Sequence, residues 1–154
     1  MPLTDIVMPD AILPSLKATT KKQVLQDISE RAARMTGLPA RGIFDALLQR
    51  ERLGSTGVGN GVAIPHGKLP DCTRIAGVFA RLERPIDFEA LDGAPVDLIF
   101  TLIAPEDAGA DHLKALARIA RAMREPSFVA KLRATRDAKV LYSMLTMGQA
   151  SNAA

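Results

Sequence analysis

The hydrophobic positions in the first third of the chain recur with helical spacing. Apolar residues three or four positions apart predict a helix over 20–36, which either Thr19 or Thr20 can cap. Gly37 is suited to end this helix, and the same spacing predicts a second helix over 39–52. The apolar positions are Val24, Leu25, Ile28, Ala32 and Met35 in the first helix and Ile43, Phe44, Leu47 and Leu48 in the second.

The apolar pattern elsewhere indicates strands. We expect short extended segments at residues 3–7 and 11–18, and a further short strand at 61–65. Residues 74–83 alternate between apolar and polar positions, as a half-buried strand does. The nearly unbroken apolar run at 96–104 is typical of a central strand that is covered on both faces.

The last third of the chain is predicted to be helical. Asp111 is placed to cap one helix, Pro126 opens a shorter helix, and a final helix spans about 136–147. Helices before and after a group of strands predict an α/β fold, a layered α/β/α sandwich around a small mixed β-sheet with a helical C-terminal third. We expect one domain over 1–147 and a disordered tail over 148–154.

Composition narrows the class of protein without naming an activity. A chain of 154 residues with 47% hydrophobic and 24% charged residues is typical of a globular domain. No run approaches the roughly 20 apolar residues of a membrane span, and the first residues lack a signal-peptide pattern. Cys72 is the single cysteine, so no intrachain disulfide can form. These observations predict a cytoplasmic protein without membrane insertion.

The positive charge is concentrated in the predicted C-terminal helices. Residues 111–139 contain eight basic and three acidic residues, within a net charge of +3 for the whole chain. This run is either a solvated helix face or a docking surface for an acidic partner. No nucleic-acid-binding motif accompanies it and the chain has no tryptophan, so we expect no nucleic-acid partner.

The most informative segment ends at His66, one of two histidines in the chain. Four glycines between positions 54 and 61 allow sharp turns and a close approach to a ligand. Pro65 fixes its own φ angle and restricts Ile64 to extended geometry, and Gly67 removes the side chain that would crowd the ring. A flexible loop and a rigid mount therefore meet at a residue that can act as a nucleophile near neutral pH.

This segment does not match several familiar glycine-rich or metal-binding motifs. A Walker loop has four residues between its glycines, whereas five residues separate Gly61 from Gly67. A dinucleotide-binding fingerprint follows a strand and opens a helix, whereas here the predicted helix comes first. The histidines and Cys72 lack the close pairs of usual zinc sites, so we expect no metal.

With nucleotide-binding loops and zinc excluded, the remaining interpretation is that a histidine of this segment accepts a phosphoryl group. A glycine-rich turn presents backbone N–H groups to an anion, and Ser55 and Thr56 add hydroxyls. Arg50 precedes the loop and can supply a bidentate guanidinium. His112 lies in the first turn of a predicted helix, where the macrodipole attracts anions and favours a neutral ring. We expect His112 to converge with His66 at one edge of the sheet.

The segment from Glu51 to Gly67 resembles the active-site signature of the type-2 IIA proteins of the bacterial phosphotransferase system. In that signature an acidic or amide residue is followed, after six positions, by an apolar residue and glycine, and then by aliphatic-Ala-aliphatic-Pro-His-Gly. The matching residues are Glu51, Val58, Gly59, Val62, Ala63, Ile64, Pro65, His66 and Gly67. The resemblance extends over about residues 3–146, and it is greatest to the nitrogen-regulatory branch of the family.

The resemblance implies a role for each candidate residue. His66 would accept a phosphoryl group from a phosphohistidine on an HPr-like carrier protein, with His112 in support and Arg50 stabilising the phosphate. Because the donor is itself a protein, no metal or organic cofactor is implied. The remaining phosphate-binding residues would be Ser55, Thr56, Asn60 and Gly67.

Three functions stay open at this point. The first is a phosphocarrier of a nitrogen-related phosphotransferase system that regulates partner proteins according to its phosphorylation state. The second is a sugar-specific IIA component, of the fructose or mannitol type, that passes phosphate to a membrane permease. The third is an anion- or partner-binding module that transfers no phosphoryl group.

Overall fold

The strand order of the central sheet determines where the candidate residues lie. The computed structural model describes residues 3–148, so residues 149–154 of the predicted tail lie outside the described residues. The strands are β1 (Val7–Leu16), β2 (Gly57–Gly59), β3 (Val62–Ala63), β4 (His66–Leu69), β5 (Ala76–Ile86) and β6 (Val96–Pro105). The sheet order is β1-β5-β6-β3-β2, and β4 also pairs with β6. Parallel and antiparallel pairs alternate through it, which confirms the predicted mixed sheet.

The helices pack against this sheet. They are α1 (Lys21–Thr36), α2 (Ala40–Arg52), α3 (Ala110–Ala122), α4 (Pro126–Ala134) and α5 (Ala138–Ser143), and a π-helical turn at Met144–Gly148 follows α5. Helices α1 and α2 contact each other as well as β5 and β4, respectively, while α3 contacts β6 and α5 contacts β1. The α/β sandwich with a helical C-terminal third is therefore confirmed. None of the helices within residues 3–148 is long and apolar enough to cross a membrane.

Local signals account for the boundaries of α1. The Thr20 hydroxyl accepts a hydrogen bond from the backbone N–H of Gln23 at 3.1 Å, which satisfies one of the free N–H groups of the first turn. Gly37 ends the helix in the left-handed conformation, with φ at 78°. Between these ends, the predicted apolar positions Val24, Leu25 and Ile28 are fully buried.

Four predicted boundaries are wrong. Residues 3–5 form a 3₁₀ turn, and β1 runs unbroken from Val7 to Leu16 although it contains two prolines. The prolines are tolerated because β1 is an edge strand, where a missing N–H costs no ladder hydrogen bond on the open side. Asp111 does not cap α3, which begins at Ala110 after Gly109. The final helix begins at Ala138 with Asp137 as its cap, because the Asp137 carboxylate accepts two backbone N–H groups there.

The strand predicted at 61–65 is only β3, which ends at Ala63, and strand β4, which the sequence pattern does not predict, begins at His66. Both strands pair in parallel with β6, so the chain follows one neighbour across the interruption. Within the gap, the carbonyl of Pro65 accepts the N–H of Leu102 at 2.9 Å, and the N–H of Ile64 donates to Thr56 at 3.0 Å. The carbonyl of Ile64 faces His66, the first residue of β4.

The central strand β6 is buried along almost its whole length, as its apolar run predicts. From Leu98 to Ala104 every residue is buried, including Thr101. Strand β5 lies on one side of it, and β3 and β4 lie on the other. The start of β4 is thus fixed against the most deeply buried strand of the sheet, which makes it a rigid support for a side chain.

Candidate active site

The imidazole of His66 is oriented by the main chain. Its Nδ1 lies 2.9 Å from the carbonyl oxygen of Ile64. A carbonyl oxygen only accepts hydrogen bonds, so the ring proton resides on Nδ1 and Nε2 carries the free lone pair. The side chain is half-buried, which leaves this nucleophilic nitrogen at the surface of a pocket.

Arg50 reaches His66 from the last turn of α2. Its Nε donates to Nε2 of His66 at 3.3 Å, and its Nη1 donates to the carbonyl oxygen of Gly54 at 3.0 Å. The guanidinium therefore joins the helix end, the glycine loop and the imidazole. The long Nε–Nε2 distance makes this a weak hydrogen bond that an incoming oxyanion can replace.

His112 lies next to His66 and comes from a different helix, α3. It lies in the first turn of α3, and the two ring centroids are 5.7 Å apart with the planes inclined at 53°. His112 is 5% exposed, and within residues 3–148 no polar group hydrogen-bonds to its buried Nδ1. The structure therefore places the two histidines and Arg50 together.

Burial dominates the acid–base properties of both rings. It lowers the pKa of His66 below 6.5, and nearby Arg50 lowers it further, although the hydrogen bond to Ile64 acts in the opposite direction. Burial also lowers the pKa of His112, with smaller contributions from His66 and Lys68. Both imidazoles are consequently neutral at pH 7, and Nε2 of His66 is unprotonated and engaged only by the weak hydrogen bond from Arg50.

These side chains line a cleft of about 480 Å³. Arg50 and Lys68 provide its positive charge, and no carboxylate is among its lining residues in the described part of the chain. The rim includes Leu53 and Leu113, which are 82% and 67% exposed. A cationic pocket with an apolar rim is suited to an anionic group that a protein partner delivers.

Three of the predicted phosphate-binding side chains do not line this cleft. The hydroxyl of Ser55 donates to the carbonyl of Phe88 at 2.8 Å, and the hydroxyl of Thr56 donates to the carboxylate of Glu51. Asn60 occupies a left-handed turn with φ at 57°, where its backbone N–H donates to Asp92. Their polar backbone or hydroxyl groups are used to hold the glycine loop in shape.

Gly67 does line the cleft, and its lack of a side chain has a clear cause. A Cβ atom at this position would lie 3.3 Å from the backbone carbon and Cβ of Ala46 in α2. The absence of that atom lets β4 approach α2 closely, which brings Arg50 within reach of His66.

Two residues of the site have no predicted role in the sequence. Glu51 is buried, and its carboxylate accepts the N–H of Thr56 at 3.0 Å and pairs with Lys21 at 3.0 Å. Glu51 is the first residue of the family signature, and an acidic residue in the last turn of a helix opposes the macrodipole, so both features signal a special role. Lys68 follows His66 by two positions in a strand, so the same-face rule would have placed it in the cleft.

The fold and the site together define a class. An α/β fold with a mixed sheet that presents a neutral, main-chain-oriented histidine beside an arginine and a second histidine is suited to a small phosphocarrier domain. Residues 5–147 match the family model described as the EIIA 2 domain of the phosphoenolpyruvate-dependent sugar phosphotransferase system, and the chain belongs to this family.

Individual relatives support the assignment over the whole length of the chain. A nitrogen regulatory protein of Bradyrhizobium diazoefficiens is 61% identical over 99% of this chain and 100% of its own. A nitrogen regulatory protein of Escherichia coli is 46% identical over 82% of this chain and 78% of its own. The crystal structure of nitrogen regulatory protein IIA-Ntr from Neisseria meningitidis superimposes with a TM-score of 0.89 at 34% identity, covering 94% of this chain and 99% of that one.

Proposed function

We propose that this chain is the phosphocarrier of a nitrogen-related phosphotransferase system, and that Nε2 of His66 accepts the phosphoryl group. The donor is a phosphohistidine on an HPr-like carrier protein, and the phosphorylation state of His66 regulates partner proteins. The observation that carries the proposal is the Nδ1 contact with the carbonyl of Ile64, which leaves the lone pair on Nε2. The nitrogen-related role is supported by similarity to relatives named nitrogen regulatory protein.

The transfer is an in-line displacement between two imidazoles. The lone pair of Nε2 forms the new N–P bond, and the donor's N–P bond breaks with its electron pair returning to the donor ring. The proton on Nδ1 of His66 stays in place, so the phosphorylated ring carries a positive charge. The carbonyl of Ile64 stabilises that charge through the same hydrogen bond.

The cations of the cleft stabilise the phosphoryl oxygens. The Nε–H of Arg50 leaves Nε2 and donates to an oxygen, and the Nη1 contact with Gly54 keeps the guanidinium close during this change. Nδ1 of His112 is buried, so Nε2 is the nitrogen of that ring that faces the phosphoryl group. Lys68 adds a positive charge at the mouth of the cleft.

The test is reconstitution of the relay with labelled phosphoenolpyruvate, the first enzyme of the relay and its HPr-like carrier. We expect the wild-type chain to gain acid-labile phosphate and His66→Ala to gain none. Phosphorus NMR of the product should assign the bond to Nε2. The phosphocarrier function is refuted if the wild type stays unlabelled, or if His66→Ala is labelled equally well.

Arg50 is tested against its exposed neighbour Arg52 in the same helix turn. Because preorganised donors to a developing oxyanion are each worth about 10²- to 10³-fold in rate, we expect Arg50→Ala to slow the transfer by about two orders of magnitude. Arg52→Ala should transfer at nearly the wild-type rate. Equal rates for the two variants would remove the role of Arg50 and leave that of His66 unaffected.

The sugar-specific alternative is tested on the acceptor side of the relay. The phosphorylated chain is incubated with the soluble IIB domain of a fructose- or mannitol-type permease, and phosphate transfer is followed over time. A regulatory phosphocarrier should retain its label under these conditions. Rapid transfer to the IIB domain would instead identify the chain as a sugar-specific component.

A further inference from the structure

A second cleft lies between strand β1 and the C-terminal half of α1. This open cleft has a volume of about 580 Å³, within the range of small-molecule sites. Met8, Pro9 and Asp10 line it from the strand, and Arg31, Arg34 and Met35 line it from the helix. Neither histidine of the phosphocarrier site is among the lining residues, so this cleft is separate from the His66 pocket.

The cleft contains two arginines and one carboxylate, that of Asp10, which forms no ion pair with either arginine in the described residues. Arg31 and Arg34 are three positions apart on α1, a spacing that places their side chains next to each other. In the described residues no carboxylate lies within 4 Å of either guanidinium. Asp27, one turn before Arg31, accepts a hydrogen bond from Gln23 instead. Two adjacent like charges repel, and an anion between them would remove that repulsion.

Arg31 is held in a fixed position with unused hydrogen-bonding capacity. Its Nη1 donates to the carbonyl oxygen of Asp10 at 2.7 Å, which ties the guanidinium to the main chain of β1. Its Nε is buried, and within residues 3–148 it has no hydrogen-bond partner. Buried polar groups without a partner are rare, because each one loses its hydration without compensation. The Nη2 of Arg31 makes no hydrogen bond within residues 3–148 and is not among the buried atoms, so this nitrogen is the donor that a ligand oxyanion in the cleft would bind.

Apart from Asp10 the remaining walls are apolar side chains, although Sδ of Met8 also accepts a hydrogen bond from Nη2 of Arg74 at 3.3 Å. The side chains of Met8, Pro9 and Met35 border the arginines, and Met8 is 44% exposed. Thioether side chains are polarisable and adapt to flat or irregular apolar groups. The arginines therefore suit an oxyanion and the methionines suit an attached apolar body.

We propose that the cleft between β1 and α1 binds a small organic anion. Arg31 and Arg34 hold its phosphate or carboxylate group, and Met8 and Met35 contact its apolar part. This site is independent of phosphoryl transfer at His66.

The experiment is an NMR titration of the full-length, ¹⁵N-labelled protein with phenyl phosphate. We expect saturable shifts of the amides of Met8, Asp10 and residues 31–35, with an unchanged dissociation constant in a His66→Ala background. Inorganic phosphate, which lacks the apolar body, should bind more weakly, and benzyl alcohol, which lacks the anion, should not bind. Benzoate in place of phenyl phosphate distinguishes a carboxylate from a phosphate ligand.

Charge reversal supplies the matched pair of variants. Arg34→Glu should weaken binding of phenyl phosphate by about tenfold or more, because it removes a charged donor and adds a repelling charge. Arg41→Glu makes the same change of charge at an arginine on α2 that is 90% exposed, and it should not change the binding of phenyl phosphate. A dispersed spectrum of Arg34→Glu verifies its fold. The proposal is overturned if Arg34→Glu binds like the wild type, if benzyl alcohol binds as well as phenyl phosphate, or if shifts occur only around His66.

Discussion

Replacing Glu51 with glutamine tests whether a buried carboxylate holds the glycine loop onto the helices. The side chain of Glu51 is 2% exposed and pairs with Lys21, whose side chain is 15% exposed. It also accepts the backbone N–H and the hydroxyl of Thr56. Glutamine has the same shape, but it replaces one accepting oxygen with a donating NH₂ group and removes the charge.

The expected loss follows from these contacts. A hydrogen bond to a charged group contributes about 1.5–3 kcal/mol, and glutamine loses one acceptor and weakens the others. The partial exposure of Lys21 lets water compensate for some of the lost pairing. We therefore expect Glu51→Gln to lower the free energy of unfolding by about 2–3 kcal/mol. For a chain of this size, that corresponds to a decrease in Tm of about 4–12 °C.

Urea unfolding followed by circular dichroism measures the effect. Glu83→Gln changes an exposed carboxylate on β5 and should stay within about 0.5 kcal/mol of the wild type. A double-mutant cycle with Lys21→Met isolates the ion pair, and the two changes should be non-additive. If Glu51→Gln is as stable as Glu83→Gln, the carboxylate does not hold the loop and the reasoning fails.

Three further changes test other parts of the structure. Because the pKa values of His66 and His112 are lowered from 6.5, the unfolded chain binds more protons just below that pH, so the free energy of unfolding should rise with pH through this window. A variant with both histidines replaced by alanine should lose that slope in urea titrations, and a slope of equal size would contradict the assignment. Gly67→Ala should cost about 1–3 kcal/mol because its Cβ meets the α2 backbone at 3.3 Å. Gly42→Ala, whose Cβ has 3.8 Å of room, should stabilise the protein by about 0.4–1 kcal/mol, and equal effects of the two glycine changes in thermal unfolding would refute the packing argument. Arg133→Met removes a 2.7 Å contact to the carboxylate of Asp97 in β6 and a 2.8 Å contact to the carbonyl of Asn60 in the glycine loop. It should cost about 1–3 kcal/mol in urea unfolding, whereas no loss would make these contacts incidental.

Local signals made the helices of the first third predictable. Thr20 and Gly37 act within one turn of the chain ends that they define, so their effect is visible without tertiary structure. The two prolines of β1, by contrast, are local signals that lead to a wrong prediction. Proline predicts an interruption unless the strand lies at the edge of a sheet, and edge position is a property of the whole fold. The sequence pattern therefore predicts two short segments where the structure has the single strand β1.

The residues of the site also divide into those whose positions follow from local sequence and those whose positions depend on the whole fold. Arg50 and His66 are joined by one loop, and their proximity could be inferred from chain order. Their meeting with His112 depends on where β6 and α3 lie, and the structure shows that meeting. The directions of Ser55 and Thr56 could not be inferred, because a hydroxyl in a flexible loop has many partners within reach. In the structure the Thr56 hydroxyl donates a hydrogen bond to the buried carboxylate of Glu51, and the Ser55 hydroxyl donates one to the carbonyl of Phe88.

The break between β3 and β4 has a consequence for how the site tolerates genetic change. The group that fixes the tautomer of His66 is the carbonyl of Ile64, and every amino acid carries that carbonyl. A missense mutation at position 64 alters the side chain without deleting the acceptor. In sites where a carboxylate side chain performs this task, one codon change abolishes it. Here the vulnerable position is Pro65, whose ring fixes the course of the chain at the break, so we expect random mutagenesis to find inactivating substitutions at Pro65 more readily than at Ile64.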